Sequence, residues 1–180
     1  AKMIIDNQLQ FKKNRNKYFS SKVFNLKDGQ LSLDDIEHGI LRSSKWKYGM
    51  GYVNKIFISN VEKLLEVNKL DPRIHFALNS GAKSCPIIST YLCPNINEQL
   101  DISTKEYITA NSSYNDKKRV AKISPVFNWF KGDFGGKKGI IEFLKKYQLI
   151  PAKVDEIIIR YNEYNWEPLT NNFKSENPHL

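Results

Sequence analysis

Four side chains between Leu31 and Pro86 have the types needed for nucleophilic or acid–base chemistry: Glu37, His38, His75 and Cys85. A cysteine attacks as its thiolate, an imidazole takes up or releases a proton near neutral pH, and a carboxylate can hold an imidazole in one orientation. A thiol-dependent hydrolase or transferase acting on an amide or acyl group would use all of them. Cys85 would be the nucleophile, His75 or His38 the base, and Glu37 the orienting group. Backbone N–H groups of the turn Gly81–Cys85 could hold the oxyanion. Both His residues precede the Cys, but triads recur on unrelated folds in different chain orders. Such an assembly requires one imidazole within about 4 Å of the sulfur.

Each residue also has a plainer reading. Glu37 could be a structural carboxylate that ties its helix to a neighbouring backbone. A strand His is commonly well bonded and inert, and a free Cys commonly packs as a small hydrophobe. Cys93 could also form a disulfide with Cys85 in an oxidising compartment. Glu37, His38 and His75 are suitable metal-ligand types, but adjacent residues on a helix point about 100° apart. No CxxC or Cys/His spacing of the common zinc sites is present, and no cofactor-binding pattern occurs. The expected site therefore holds no metal and no cofactor.

The elements that must position these residues follow from pattern. Val23, Phe24 and Leu26, then Asp28-Gly29, then Leu31 and Leu33, predict a hairpin. Ser32 with Asp35 forms a capping-box-like start for a helix over about Leu33–Arg42. On that helix Leu33, Ile36, Ile40 and Leu41 share one arc at about 100° per residue. Glu37 falls within it, whereas His38 falls outside, toward Asp34 and Arg42. Ser59 with Glu62 caps a second helix. Arg73–Asn79 alternates as a strand with His75, Ala77 and Asn79 on its less apolar face, and Ile87–Leu92 reads as another strand. Pro86 restricts the backbone of Cys85, and Lys83 lies close enough in sequence to favour a thiolate. Further on, Asn95 to about Ala110 predicts a helix, Val120–Ile123 a strand, and Val126–Phe130 a short helix. An amphipathic helix follows Gly135-Gly136, and Ile157–Tyr161 reads as a final strand. Helices and strands mix without a βαβ rhythm, which predicts an α+β single domain with helices around a small, mostly antiparallel sheet.

Composition bounds the rest. A chain of 180 residues with 41% apolar and 26% charged residues is large enough for one domain with a real core. No apolar run approaches the roughly 20 residues of a bilayer-spanning helix. The first residues lack a signal-peptide pattern, although an export signal could have preceded Ala1, so the compartment is left open. The 28 Lys+Arg outnumber the 19 Asp+Glu. Lys12, Lys13, Arg15, Lys17 and Lys22 form one basic run. Lys117, Lys118, Arg119, Lys122, Lys131, Lys137 and Lys138 form another, with Asp133 as its sole acid. Such runs could meet phosphates of nucleic acid or an anionic surface. A spread of solvated lysines is the favoured reading, because no nucleic-acid-binding signature accompanies them.

The residues also carry a resemblance. The stretch Ser32–Arg42 (SLDDIEHGILR), with Asp71–Asn79 (DPRIHFALN) and Gly81–Pro86 (GAKSCP), resembles the domain of unknown function 547. SPVFNWFKGD at Ser124–Asp133, followed by Phe134-Gly135, and the later Tyr164-Asn165-Trp166, are similar to its C-terminal half. The resemblance runs from about Lys22 to Trp166. It implies a domain over residues 23–166, flanked by a basic polar segment at 1–22 and an exposed tail at 167–180. Two departures stand out. Relatives usually carry a Cys where this chain has Ser80, which leaves Cys85 as the remaining thiol of that pair. They also usually carry an upstream helical segment rich in Trp, Asn and Tyr that residues 1–22 do not show, so the resemblance implies a domain lacking its N-terminal part. The family implies a shared site and no named reaction. The alternative to thiol chemistry is a non-catalytic binding or scaffold module, its motif residues forming a structural hydrogen-bond network and its basic, aromatic surface meeting an anionic partner.

Overall fold

Strand β1 (Phe24–Leu26) and strand β2 (Gly29–Leu31) pair antiparallel in the hairpin read from the sequence. A computed structural model describes residues 16–169 of the chain. The basic residues Lys12, Lys13 and Arg15 lie outside the described residues. Ser32 then opens a helical stretch as expected: its Oγ accepts the Asp35 N–H, and the Asp35 carboxylate accepts the Ser32 N–H at 2.7 Å. Asp35–Leu41 is a π-helix rather than an α-helix. Its widened turns are seen in the i→i+5 bonds from Arg42 N–H to Glu37 O and from Ser44 N–H to Gly39 O, both 2.9 Å.

Helix α1 (Asn60–Leu65) starts at a complete capping box between Ser59 and Glu62. Glu62 is buried and ion-paired with Lys55. Gly39 of the π-helix sits directly against the Glu62 carboxylate, where any side chain would collide with it. That small residue lets the two helices pack closely.

The expected strand over Arg73–Asn79 is instead a 3₁₀ helix, Pro72–Phe76. The Asp71 carboxylate accepts the Arg73 N–H, and Pro72 at the first helical position has no N–H to leave unpaired. Consecutive Ile74, His75 and Phe76 are all buried, which a period-two strand with one solvent face would not give. Ile87–Leu92 is likewise irregular, leading to a 3₁₀ turn at Cys93–Asn95.

The remaining elements build the main core. Helix α2 (Ile96–Asn111) buries Leu100, Thr104, Tyr107 and Ile108 along one stripe. Strands β3 (Ser113–Asn115), β4 (Val120–Ile123) and β5 (Ile158–Tyr161) form a three-stranded sheet, antiparallel between β3 and β4 and parallel between β4 and β5. The parallel crossover carries helix α3 (Val126–Trp129) and helix α4 (Gly136–Lys146). Helix α4 buries Ile140, Ile141 and Leu144. Phe76, Phe127, Phe134 and Phe143 pack as tilted and edge-on rings with centroids 4.7–5.9 Å apart at the centre of this core. The architecture is α+β in a single domain, as the sequence pattern predicts. No helix among the described residues is long and apolar enough to cross a membrane.

Candidate functional site

The π-helix sets the site. An i→i+5 helix turns less per residue than an α-helix, so phasing drawn at 100° misplaces its faces. His38 and Arg42, one turn apart, face inward and are buried, Arg42 completely. Glu37 is partly exposed, with 26% of its side chain accessible. His38, expected outside the apolar arc, is thus the more deeply buried of the two, while Glu37 is half-buried at the edge of the cluster.

Arg42 reaches across the fold to Asp133, in the bend between α3 and α4. Its Nε donates to Oδ2 at 2.6 Å and its Nη2 to Oδ1 at 3.1 Å. Its third group, Nη1, lies 2.9 Å from His38 Nδ1. A guanidinium can only donate, so Nδ1 is the acceptor and the His38 proton sits on Nε2, which faces Asp34 Oδ1 at 3.7 Å. Burial, with the Arg42 charge adding to it, pushes the His38 pKa down to about 3. His38 is a neutral imidazole whose lone pair is occupied.

His75 approaches the same carboxylate from the 3₁₀ helix. Its Nε2 lies 2.8 Å from Asp133 Oδ2 and must carry the proton, since the carboxylate accepts. The ring stacks on Phe130 at 3.9 Å and 13°, and the Arg42 guanidinium lies 4.6 Å from the centroid of the same Phe130 ring. Burial lowers the His75 pKa despite the neighbouring Asp133. Burial alone would raise the Asp133 pKa, but the hydrogen bonds from His75 and Arg42 outweigh it and hold the carboxyl below its ordinary range. The result is one dry ion pair, Arg42–Asp133, flanked by two neutral imidazoles. The loop around Gly49–Gly51 closes over it: Gly132 N–H donates to Met50 O at 2.7 Å, and Gly51, at φ 85°, lies so close to Asp133 that a Cβ would overlap the carboxylate.

Glu37 borders this cluster, with Oε1 3.8 Å from His38 Nδ1. Burial raises its pKa to about 7 against the pull of Arg42.

Cys85 is buried and belongs to a different set of contacts. Its sulfur takes the Ser80 N–H at 3.3 Å and lies 3.2 Å from both Ser80 Oγ and Tyr164 Oη. Neither imidazole is among its hydrogen-bond partners. The turn that was to supply an oxyanion hole has spent most of its donors. Gly81 N–H goes to Asn79 Oδ1, Lys83 N–H to Glu167 O, Ser84 N–H to Asn165 O, and Cys85 N–H to Ala82 O. Lys83 itself pairs with Glu167. These contacts pin the turn to residues 164–167, which carry the aromatic pair Tyr164 and Trp166 packed on Trp129. Cys93 is exposed, and both cysteines are free thiols.

Thus the structure joins Glu37, His38 and His75 through Arg42 and Asp133, and gives Cys85 separate partners. Among the described residues, no group of three or more His, Cys, Asp and Glu is arranged to hold a metal ion. Asp133 and Arg42 are the members that side-chain chemistry alone did not single out. One signal existed: Asp133 is the only acid in a run of seven cations, and Arg42 is four residues from His38, at the distance where helical side chains meet.

No curated protein and no solved structure matches the chain. A family described as "Protein of unknown function, DUF547" matches residues 1–108, which includes Glu37, His38, Arg42, His75 and Cys85. The match begins at the first residue, upstream of Lys22, and stops before the C-terminal stretches that carry Asp133 and Tyr164. With more than half of its length matched, including both its His–Arg and its Cys motifs, the chain belongs to the DUF547 family.

Proposed function

We propose that this DUF547 domain is a non-catalytic binding module for an anionic partner, its motif residues forming a structural network. The observation that carries this reading is the separation of partners: Cys85 bonds to Ser80 and Tyr164, while both imidazoles are tied into Arg42 and Asp133. A general base needs a free lone pair within reach of the nucleophile's proton. His38 has surrendered its Nδ1 lone pair to Arg42, and the His75 ring is enclosed with Phe130 and Phe134 beside it. The excess of cations over acids supplies the complementary surface for an anion.

The second reading is a hydrolase or acyl/amide transferase with Cys85 as nucleophile. The two hydroxyls at 3.2 Å from its sulfur favour it, since they are positioned to shuttle a proton or hold a bound group. Alkylation kinetics separate the two. In the native protein, iodoacetamide should modify exposed Cys93 at least about tenfold faster than Cys85, because a catalytic thiol is accessible and activated and a structural one is neither. Faster labelling of Cys85 would overturn the binding-module reading in favour of thiol chemistry.

A further inference from the structure

We propose that the outer face of the β3–β4–β5 sheet is a binding site for a small organic phosphate, with Lys122 and Arg160 as its principal ligands. The proposal rests on the binding-module reading and gives it a place and a ligand class.

Strand register brings the groups together. Ser113, Lys122 and Arg160 occupy one rung across the three strands, and all three are exposed. Neighbouring strands lie about 4.8 Å apart, so two cations stand side by side on the same face. Like charges directly across a strand pair destabilise a sheet, and a carboxylate normally relieves them. Here none does. Lys122, Arg160 and Lys118, at the mouth of the β3–β4 turn, form no ion pair or side-chain hydrogen bond among the described residues. The cations instead line a groove of about 510 Å³ whose walls contain no carboxylate. Its remaining lining offers Ser113 and Asn115 as hydrogen-bonding groups and Val120 as an apolar floor.

This set fits a phosphomonoester on a small polar body. A guanidinium grips phosphate oxygens through two parallel N–H bonds, and two ammonium groups match the remaining charge of a dianion. The groove's volume lies in the range of small-molecule sites, and its cations are grouped in one spot instead of running along a track, as a nucleic-acid backbone would require.

The test is calorimetric titration of the full chain with ribose 5-phosphate, with inorganic phosphate as the minimal probe. Binding is expected to weaken by about tenfold or more in Lys122→Gln and in Arg160→Gln, as for loss of a charge-assisted hydrogen bond. It should be unchanged in Lys105→Gln on helix α2. Amide chemical-shift mapping on the unmutated protein should move Ser113, Lys122 and Arg160, which holds the test independent of how the variants fold. Wild-type affinity in both variants, or shifts confined elsewhere, would overturn the assignment. So would binding to phosphatidic acid vesicles or a single-stranded oligonucleotide with none to ribose 5-phosphate. If anions bind through other residues, the groove falls and the binding module stands; if no anion binds, both fall.

Discussion

Arg42 and Asp133 meet as a two-point clamp, Nε to Oδ2 at 2.6 Å and Nη2 to Oδ1 at 3.1 Å, with neither side chain exposed to solvent. A buried pair of this kind offsets a large desolvation cost only while both partners are present. Asp133→Asn should therefore destabilise the domain by about 3–5 kcal/mol, because the Arg42 charge stays buried without its counter-ion. Arg42→Met paired with Asp133→Leu should cost much less than the sum of the single changes, since no charge is left behind. Urea unfolding of the three variants measures both, and additive losses would show that the pair does not act as a unit.

The titrating groups around that clamp predict a distinctive pH profile. Glu37, raised to about 7 from an ordinary 4.5, contributes stability that is present below 4.5 and lost as pH rises to 7. His38, lowered to about 3 from 6.5, contributes stability present above 6.5 and lost as pH falls toward 3. Between pH 4.5 and 6.5 the Glu37 slope opposes that of the imidazoles, so the wild-type profile should rise with pH much less steeply there than His38 and His75 alone would make it. Glu37→Gln should remove the falling slope and leave stability rising with pH more steeply than in wild type across that window, by up to about 1.4 kcal/mol per unit. His75, also lowered, adds to the rise. Denaturant midpoints from pH 4 to 8 for wild type and Glu37→Gln decide it; parallel profiles would rule out the raised carboxyl.

The turn around Cys85 makes a prediction about redox behaviour. Ser80 Oγ lies 3.2 Å from the Cys85 sulfur, so a second thiol at position 80 would face the first at close range. Ser80→Cys should yield a protein in which mild oxidation removes two titratable thiols and leaves exposed Cys93 reactive. Thiol counting before and after oxidation, with dithiothreitol reversal, provides the readout. Three persistent thiols would mean that the turn holds the two sulfurs apart.

What the sequence disclosed and what it concealed separate along physical lines. Helix Gly136–Lys146 and strand Val120–Ile123 were legible because their apolar spacing matches a single regular period, and helix Ile96–Asn111 was legible from its start at Asn95. The capping boxes at Ser32 and Ser59 were legible because they are local chemistry. Helix phasing failed at His38 because the segment is a π-helix, whose turn cannot be inferred from the order of apolar residues. Arg73–Asn79 misled because alternation over a few residues is also compatible with a fully buried 3₁₀ turn, and the Asp71-Pro72 cap was the better guide. The four candidate residues were found by type. Their grouping was not, because it depends on Asp133, and pairing over 91 positions is a property of the folded chain.

That separation has a cost in time. A ribosome adding about 5–20 residues per second needs roughly 5–18 s to travel from residue 42 to residue 133. For that interval Arg42 and His38, joined on the way by His75, exist without the carboxylate that organises them. The nascent N-terminal half must keep a cation hydrated that its mature state holds dry, since burying Arg42 without its counter-ion carries a large desolvation cost. The clamp can therefore form only once both halves of the chain are present.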